Sequence, residues 1–260
     1  MTRSRLRQAK IDRTPIAMLT AYEAGFARVA AAGGVDAFLV GDSLGMVVQG
    51  QRDTLAVSVD DVAYHTAMVR RGVGDALVIA DMPFLSDASV ERALDAAAAL
   101  MGQGGADMVK LEGGAEKGDI VRSLTDNGVP VCGHVGLLPQ RVRKLGGYRV
   151  QGREAADARR ILEDAQGLVA AGIDLLVVEC VPSELGRALA EAVDVPVIGI
   201  GAGADTDGQV LVMHDMLGLT EKPPRFVRDF LVEGGSIRGA FAAYVEAVRE
   251  RRFPTAEESF

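Results

Sequence analysis

Short apolar runs, all but the first halted by a glycine, an acid or a histidine and nearly all followed by a helix-like stretch, recur eight times along this chain of 260 residues. That alternation restricts the fold more than any other feature. Brief apolar runs stopped by turn residues suit strands covered on both faces, and such strands belong to parallel sheets flanked by helices. The runs begin with residues 16–20 and 37–40 and continue at 76–80, 108–111, 129–132, 175–178, 195–200 and 209–213. Helical composition and stop signals place helices near 21–33, 59–71, 89–101, 119–127, 155–171, 183–192, 225–233 and 236–251. Strands and helices alternating in this way over a chain of this length are what a (β/α)8 TIM barrel requires, and one barrel over 1–260 is the expected domain. Two stretches, 44–57 and the glycine-rich 135–152, are too long for simple connections and are expected to serve the site.

Charge narrows the ligand class. Asp and Glu number 36 against 28 Lys and Arg, a net charge of -8, so the chain offers no general field for nucleic acid or an anionic membrane. A small-molecule ligand is expected. No run approaches the roughly 18 apolar residues of a membrane span. The basic start, with Arg3, Arg5, Arg7, Lys10 and Arg13, lacks the apolar stretch of a secretory signal and reads as a solvated helix, so a cytoplasmic setting is expected. Cys132 and Cys180 each sit in an apolar run, which suits buried reduced thiols.

Barrels of this kind place reacting groups at the carboxyl ends of their strands. Here those ends carry Thr20, Asp42, Asp81, Glu112, His134, Glu179 and His214, with Lys110 inside the fourth run. Carboxylates converging on one rim repel unless they share protons or a cation. Oxygen donors favour a hard divalent ion such as Mg2+, and Asp42 and Asp81 are the first candidates to hold it. A single strand-end acid is equally well a helix cap, but repetition from strand to strand argues for a shared site. His65 lies on a helix and reads as structural; His134, at the start of a glycine-rich loop, is the stronger functional candidate, and His214 the weaker. The glycines at 199, 201 and 203 lack both the spacing and the following helix of a dinucleotide fingerprint, and read instead as close packing or close ligand approach.

Several ordered blocks then become recognisable: Leu19-Thr20-Ala21-Tyr22, Val40-Gly41-Asp42-Ser43-Leu44-Gly45-Met46, Asp81-Met82-Pro83-Phe84, Lys110-Leu111-Glu112-Gly113-Gly114, Gly133-His134-Val135-Gly136, Glu179-Cys180-Val181-Pro182 and His214-Asp215-Met216-Leu217-Gly218. Nearly end to end, the chain resembles the ketopantoate hydroxymethyltransferase family. The resemblance implies a barrel of the phosphoenolpyruvate/pyruvate superfamily that moves a one-carbon unit from 5,10-methylenetetrahydrofolate to 3-methyl-2-oxobutanoate. It implies Mg2+ or another divalent metal, and a homodecamer built from pentameric rings. Position by position, it makes Asp42, Asp81 and Glu112 the metal set, with Glu112 acting through bound water. Ser43 and Lys110 would hold the substrate carboxylate, His134 would contact substrate or enolate, and Asp42 and Asp81 would meet the substrate through the metal. Glu179 would be the general base. Glu23, Asp87, Leu138 and Ala204 depart from the family pattern, none at a proposed catalytic position.

Two further readings share these residues. A metal-dependent 2-oxo acid lyase or mutase of the same superfamily would need no folate, and a silent metabolite-binding protein would keep the pocket without the chemistry.

Overall fold

The computed structural model describes residues 3–260. Eight parallel strands close into a barrel in sequence order: β1 Ile16–Thr20, β2 Ala37–Val40, β3 Leu77–Asp81, β4 Met108–Glu112, β5 Val131–Gly136, β6 Leu175–Glu179, β7 Val197–Ile200 and β8 Gly208–Leu211. Nearly every strand residue is buried, because the barrel interior covers one face and the surrounding helices the other. The ring closes where β1 pairs with β8, with Ile16 opposite Gly208 and Leu19 opposite Leu211. Tyr244, from the helix Ile237–Arg249, fastens that seam: its hydroxyl lies 2.8 Å from the carbonyl oxygen of Met18 and 2.9 Å from that of Gln209, sharing its proton between the two strands.

Local signals set the helix starts. Ser58 and Asp61 form a reciprocal capping box ahead of Val59–Gly72. Glu23 caps Ala24–Ala32 by accepting from the backbone N–H groups of Gly25 and Phe26, so this departure from the family pattern does a cap's work. Asp87, another departure, is buried and pairs with Lys117 at 2.8 Å. The basic helix Arg3–Ile11 is less solvated than its charges suggest. Leu6 is fully buried, and Lys10 Nζ donates to Asp207 Oδ2 at 2.7 Å and to the Ala190 carbonyl at 2.8 Å, which ties the helix to the start of β8.

Two boundaries differ from the sequence expectation in ways that matter for the site. The fifth strand runs to Gly136 and does not stop at Cys132, so His134 is a mid-strand residue. Gly133 is a packing glycine, not a turn: a Cβ there would come within 3.0 Å of Leu168 Cδ1 on the covering helix. The eighth strand ends at Leu211, and His214 sits in the helical turn Met213–Met216. Thr20 Oγ1 accepts from the Met213 N–H at 2.9 Å, which ends the ladder and starts that turn.

Both long loops lie over the carboxyl ends of the strands. The first contains the helical turn Leu44–Val47, and the second contains the turns Pro139–Arg141 and Val142–Leu145. Arg143 Nη2 meets Asp53 Oδ2 at 3.0 Å, and the Tyr148 hydroxyl lies 3.6 Å from Met46 Sδ, so the loops meet each other across the barrel mouth.

Candidate active site

A cavity of about 540 Å3 opens at that mouth, and Asp42, Ser43, Asp81, Lys110, Glu112, His134 and Glu179 all line it. Strand register brings them together: Asp81 is level with Lys110 across β3 and β4, Glu112 with His134 across β4 and β5, and Gly136 with Glu179 across β5 and β6.

Asp81 is the hub on one side. Its Oδ1 accepts from Lys110 Nζ at 2.6 Å, with both side chains only 4% exposed, and its Oδ2 accepts from the Asp42 N–H at 3.0 Å. Gly41 makes this approach possible, since a Cβ at that position would lie 2.8 Å from Ser43 Oγ and 3.2 Å from Asp81 Oδ2. Burial pushes the Asp42 carboxyl up to about 7, and the Asp81 charge pushes the same way against Lys110 and Gln140. Burial likewise holds Glu112 well above the ordinary carboxylate range, against the pull of Lys110. Burial works against the charge of Lys110, yet Asp81, Glu112 and Asp42 together raise its pKa above the usual lysine value. Acids short of positive charge in a dry site behave in this way.

His134 stands on the other side, between two acids. Its Nδ1 is 3.8 Å from Glu112 Oε1 and its Nε2 is 3.3 Å from Glu179 Oε2, but neither nitrogen makes a hydrogen bond to any of the described residues. Burial and the nearby Lys110 charge hold the imidazole well below its usual range, so it is neutral. Burial also pushes Glu179 up to about 8, with Lys110 opposing and Asp81 adding to the rise.

Two contributors escaped the sequence reading. Gln140, in the second long loop, donates from Nε2 to Asp42 Oδ2 and to the Met82 carbonyl, each at 2.9 Å, and from its backbone N–H to Glu112 Oε2 at 3.1 Å. It therefore joins the loop to the ends of β3 and β4 and to the acid just past β2. Gln140 falls in the glycine-rich stretch 135–152 expected to serve the site, but a lone glutamine carries no chemical signature there. Tyr22, just after β1, places its hydroxyl 2.8 Å from Ser43 Oγ. Its backbone carbonyl accepts from His65 Nδ1 at 2.6 Å, and its ring lies 5.4 Å from that of His214, so both remaining histidines support Tyr22. Cys180 lines the cavity, Cys132 is buried in β5, and both are free thiols.

Among the described residues no three of the His, Cys, Asp and Glu side chains are disposed to hold a metal ion together. The site offers buried oxygen donors in a cluster whose carboxyls, Asp42, Asp81 and Glu112, outnumber the Lys110 cation beside them. This donor chemistry fits a hard cation that takes few protein carboxylates and leaves its other positions to water and ligand oxygens, as Mg2+ does.

A family model described as ketopantoate hydroxymethyltransferase matches residues 1–256. A 3-methyl-2-oxobutanoate hydroxymethyltransferase of Halorhodospira halophila is 57% identical over 260 residues, spanning 100% of this chain and 94% of that protein. Its counterpart in Idiomarina loihiensis is 54% identical over 256 residues, spanning 98% and 96%. Among solved structures, a phosphoenolpyruvate phosphomutase of Streptomyces platensis superposes with a TM-score of 0.64 at 13% identity, covering 91% of this chain and 89% of that one. A 2,3-dimethylmalate lyase, described as a PEP mutase/isocitrate lyase superfamily member, superposes with a TM-score of 0.56 at 15% identity over 84% and 81%. At such identities the structural likeness speaks for the barrel alone.

Proposed function

The chain belongs to the ketopantoate hydroxymethyltransferase family, and from that premise we propose how its cavity carries out the transfer. The substrate is 3-methyl-2-oxobutanoate, the one-carbon donor is 5,10-methylenetetrahydrofolate, and the products are 2-dehydropantoate and tetrahydrofolate. The observation that carries this reading is the meeting of Glu179, Lys110, Asp42 and Asp81 in one cavity of a chain with this family membership.

Asp42 and Asp81 would hold a divalent metal, Mg2+ in the first instance, with Glu112 acting through water. When bound, such an ion supplies Lewis-acid polarisation of a ketone oxygen. Lys110 and Ser43 bind the substrate carboxylate, with Tyr22 orienting the serine hydroxyl at 2.8 Å. Glu179, in its ionised form, takes the proton from carbon three, and that C–H electron pair becomes the enolate double bond. His134, neutral and 3.3 Å from Glu179, borders the same reacting carbon and leaves the base without a competing cation. The N10–CH2 bond of the donor opens to an iminium at N5, carbon three bonds to its methylene carbon as the C=N electron pair passes to N5, and water then replaces N5 on that carbon to supply the hydroxyl. The two donor nitrogens take up the proton removed from carbon three and one proton of the water, and tetrahydrofolate leaves. The two long loops exclude bulk water while the enolate exists.

The same reading takes the protein to be a homodecamer in the cytoplasm; no helix among the described residues is long and apolar enough to cross a membrane. The test of function is direct. Purified protein with Mg2+, 3-methyl-2-oxobutanoate and 5,10-methylenetetrahydrofolate should form 2-dehydropantoate, and folded protein that makes none would overturn the proposal.

A further inference from the structure

The block His214–Gly218 stands out in the sequence, yet no step above uses its acid. The turn Met213–Met216 that follows β8 places Asp215 on the cavity wall. Asp215 Oδ1 accepts a hydrogen bond from the Thr220 hydroxyl, whereas no hydrogen bond reaches Oδ2 among the described residues. The carboxylate is only partly buried, so a ligand in the cavity can reach it.

Beside it the wall changes character. Phe226 and Phe260 meet edge to face with ring centroids 6.3 Å apart, and both line the cavity. Gly201, at φ 62°, lets Phe226 close over the end of β7, since a Cβ there would lie 2.7 Å from Phe226 Cδ1. Lys222 and Arg149 supply positive charge on the same lining. The cavity of about 540 Å3 is of the size that encloses a drug-sized ligand, roughly 300–1,000 Å3. A small branched oxo acid held at the acid-lined floor leaves most of it for a second, larger and flatter molecule.

A carboxylate with a free oxygen beside an aromatic wall suits a planar heterocycle that presents adjacent N–H donors, because paired N–H groups and a carboxylate bond in parallel. We propose that Asp215 receives the 2-amino-4-oxopyrimidine edge of the folate donor. Phe226 and Phe260 form the wall against its ring system, and Lys222 and Arg149 face its glutamate carboxylates. This assignment rests on the reading of the donor as a folate.

Asp215→Asn tests it. The asparagine oxygen still accepts from Thr220, but its amide places a donor where the ligand also donates. The dissociation constant of tetrahydrofolate, measured by titration calorimetry, should rise at least tenfold, while the affinity for 3-methyl-2-oxobutanoate stays within twofold. Unchanged tetrahydrofolate affinity in Asp215→Asn would overturn the assignment of Asp215 and leave the donor reading standing. Wild-type protein that binds the oxo acid but not tetrahydrofolate would defeat the donor reading itself. Lys222→Ala, an exposed change that does not threaten folding, gives a second reading: affinity for polyglutamylated tetrahydrofolate should fall severalfold, and no fall would remove Lys222 from the subsite.

Discussion

His134 Nε2 lies 3.3 Å from Glu179 Oε2, yet among the described residues neither ring nitrogen of His134 has a hydrogen-bond partner. A buried imidazole left unpaired is costly, and its natural partner is a group that arrives with the substrate. On this account Glu179 is the base, and His134 waits beside it. Glu179→Gln should lower deuterium exchange at carbon three of the oxo acid by roughly 10²–10⁴-fold. Binding of the oxo acid, followed by calorimetry, should persist in that variant.

The pH dependence of exchange follows from the raised Glu179 carboxyl. Burial, with Lys110 opposing and Asp81 adding, pushes it up to about 8, and as the proposed base it works only when ionised. Exchange by the Mg2+-loaded enzyme should therefore rise with pH, with an inflection at or below about 8, because a bound cation favours the ionised form. A rate that fell between pH 6 and 8 would contradict the assignment.

Stability of the metal-free protein should run the opposite way. Glu179 has a higher pKa folded than unfolded, so its contribution to stability is fully present below the unfolded value and is lost as pH rises through about 8. The urea midpoint of metal-free protein should fall from pH 5 to pH 9. Glu179→Gln should flatten that fall.

Lys110 and Asp81 form an ion pair at 2.6 Å, both almost wholly buried. Lys110→Met keeps much of the side-chain volume but leaves Asp81 without its cation. Loss of one partner of such a pair costs about 3–5 kcal/mol. Urea denaturation should show a loss of that size in metal-free protein, and Mg2+ should restore part of it.

Gln140 holds Asp42 by its side chain and Glu112 by its backbone N–H. Groups that orient metal-binding side chains in this way change metal affinity by roughly 10–100-fold when removed. Gln140→Ala should weaken Mn2+ binding by that factor, read from the paramagnetic resonance of free Mn2+ and independently of turnover.

The barrel was legible in the sequence because fully buried strands leave continuous apolar runs, and because the acids that end them interrupt those runs sharply. Asp42, Asp81, Glu112 and Glu179 stood out for that reason, and the cavity gathers them. Gly133 misled by resembling a turn, since a glycine that lets Leu168 approach a strand looks the same in sequence as one that breaks it. His214 was displaced from the eighth strand by a contact between Thr20 and Met213, residues at opposite ends of the chain, which no local pattern encodes. Gln140 and Tyr22 were missed for a related reason: their roles come from what the closed barrel brings within hydrogen-bond reach.

On the proposed function, this acid rim removes the carbon-three proton of a 2-oxo acid with the help of a divalent cation. Nuclear magnetic resonance of 3-methyl-2-oxobutanoate in deuterated water, with wild-type protein, with and without Mg2+ and in the absence of folate, tests it most directly. The carbon-three proton should be exchanged when Mg2+ is present and retained when Mg2+ is removed by chelation. Folded, Mg2+-loaded protein that left that proton in place would contradict it.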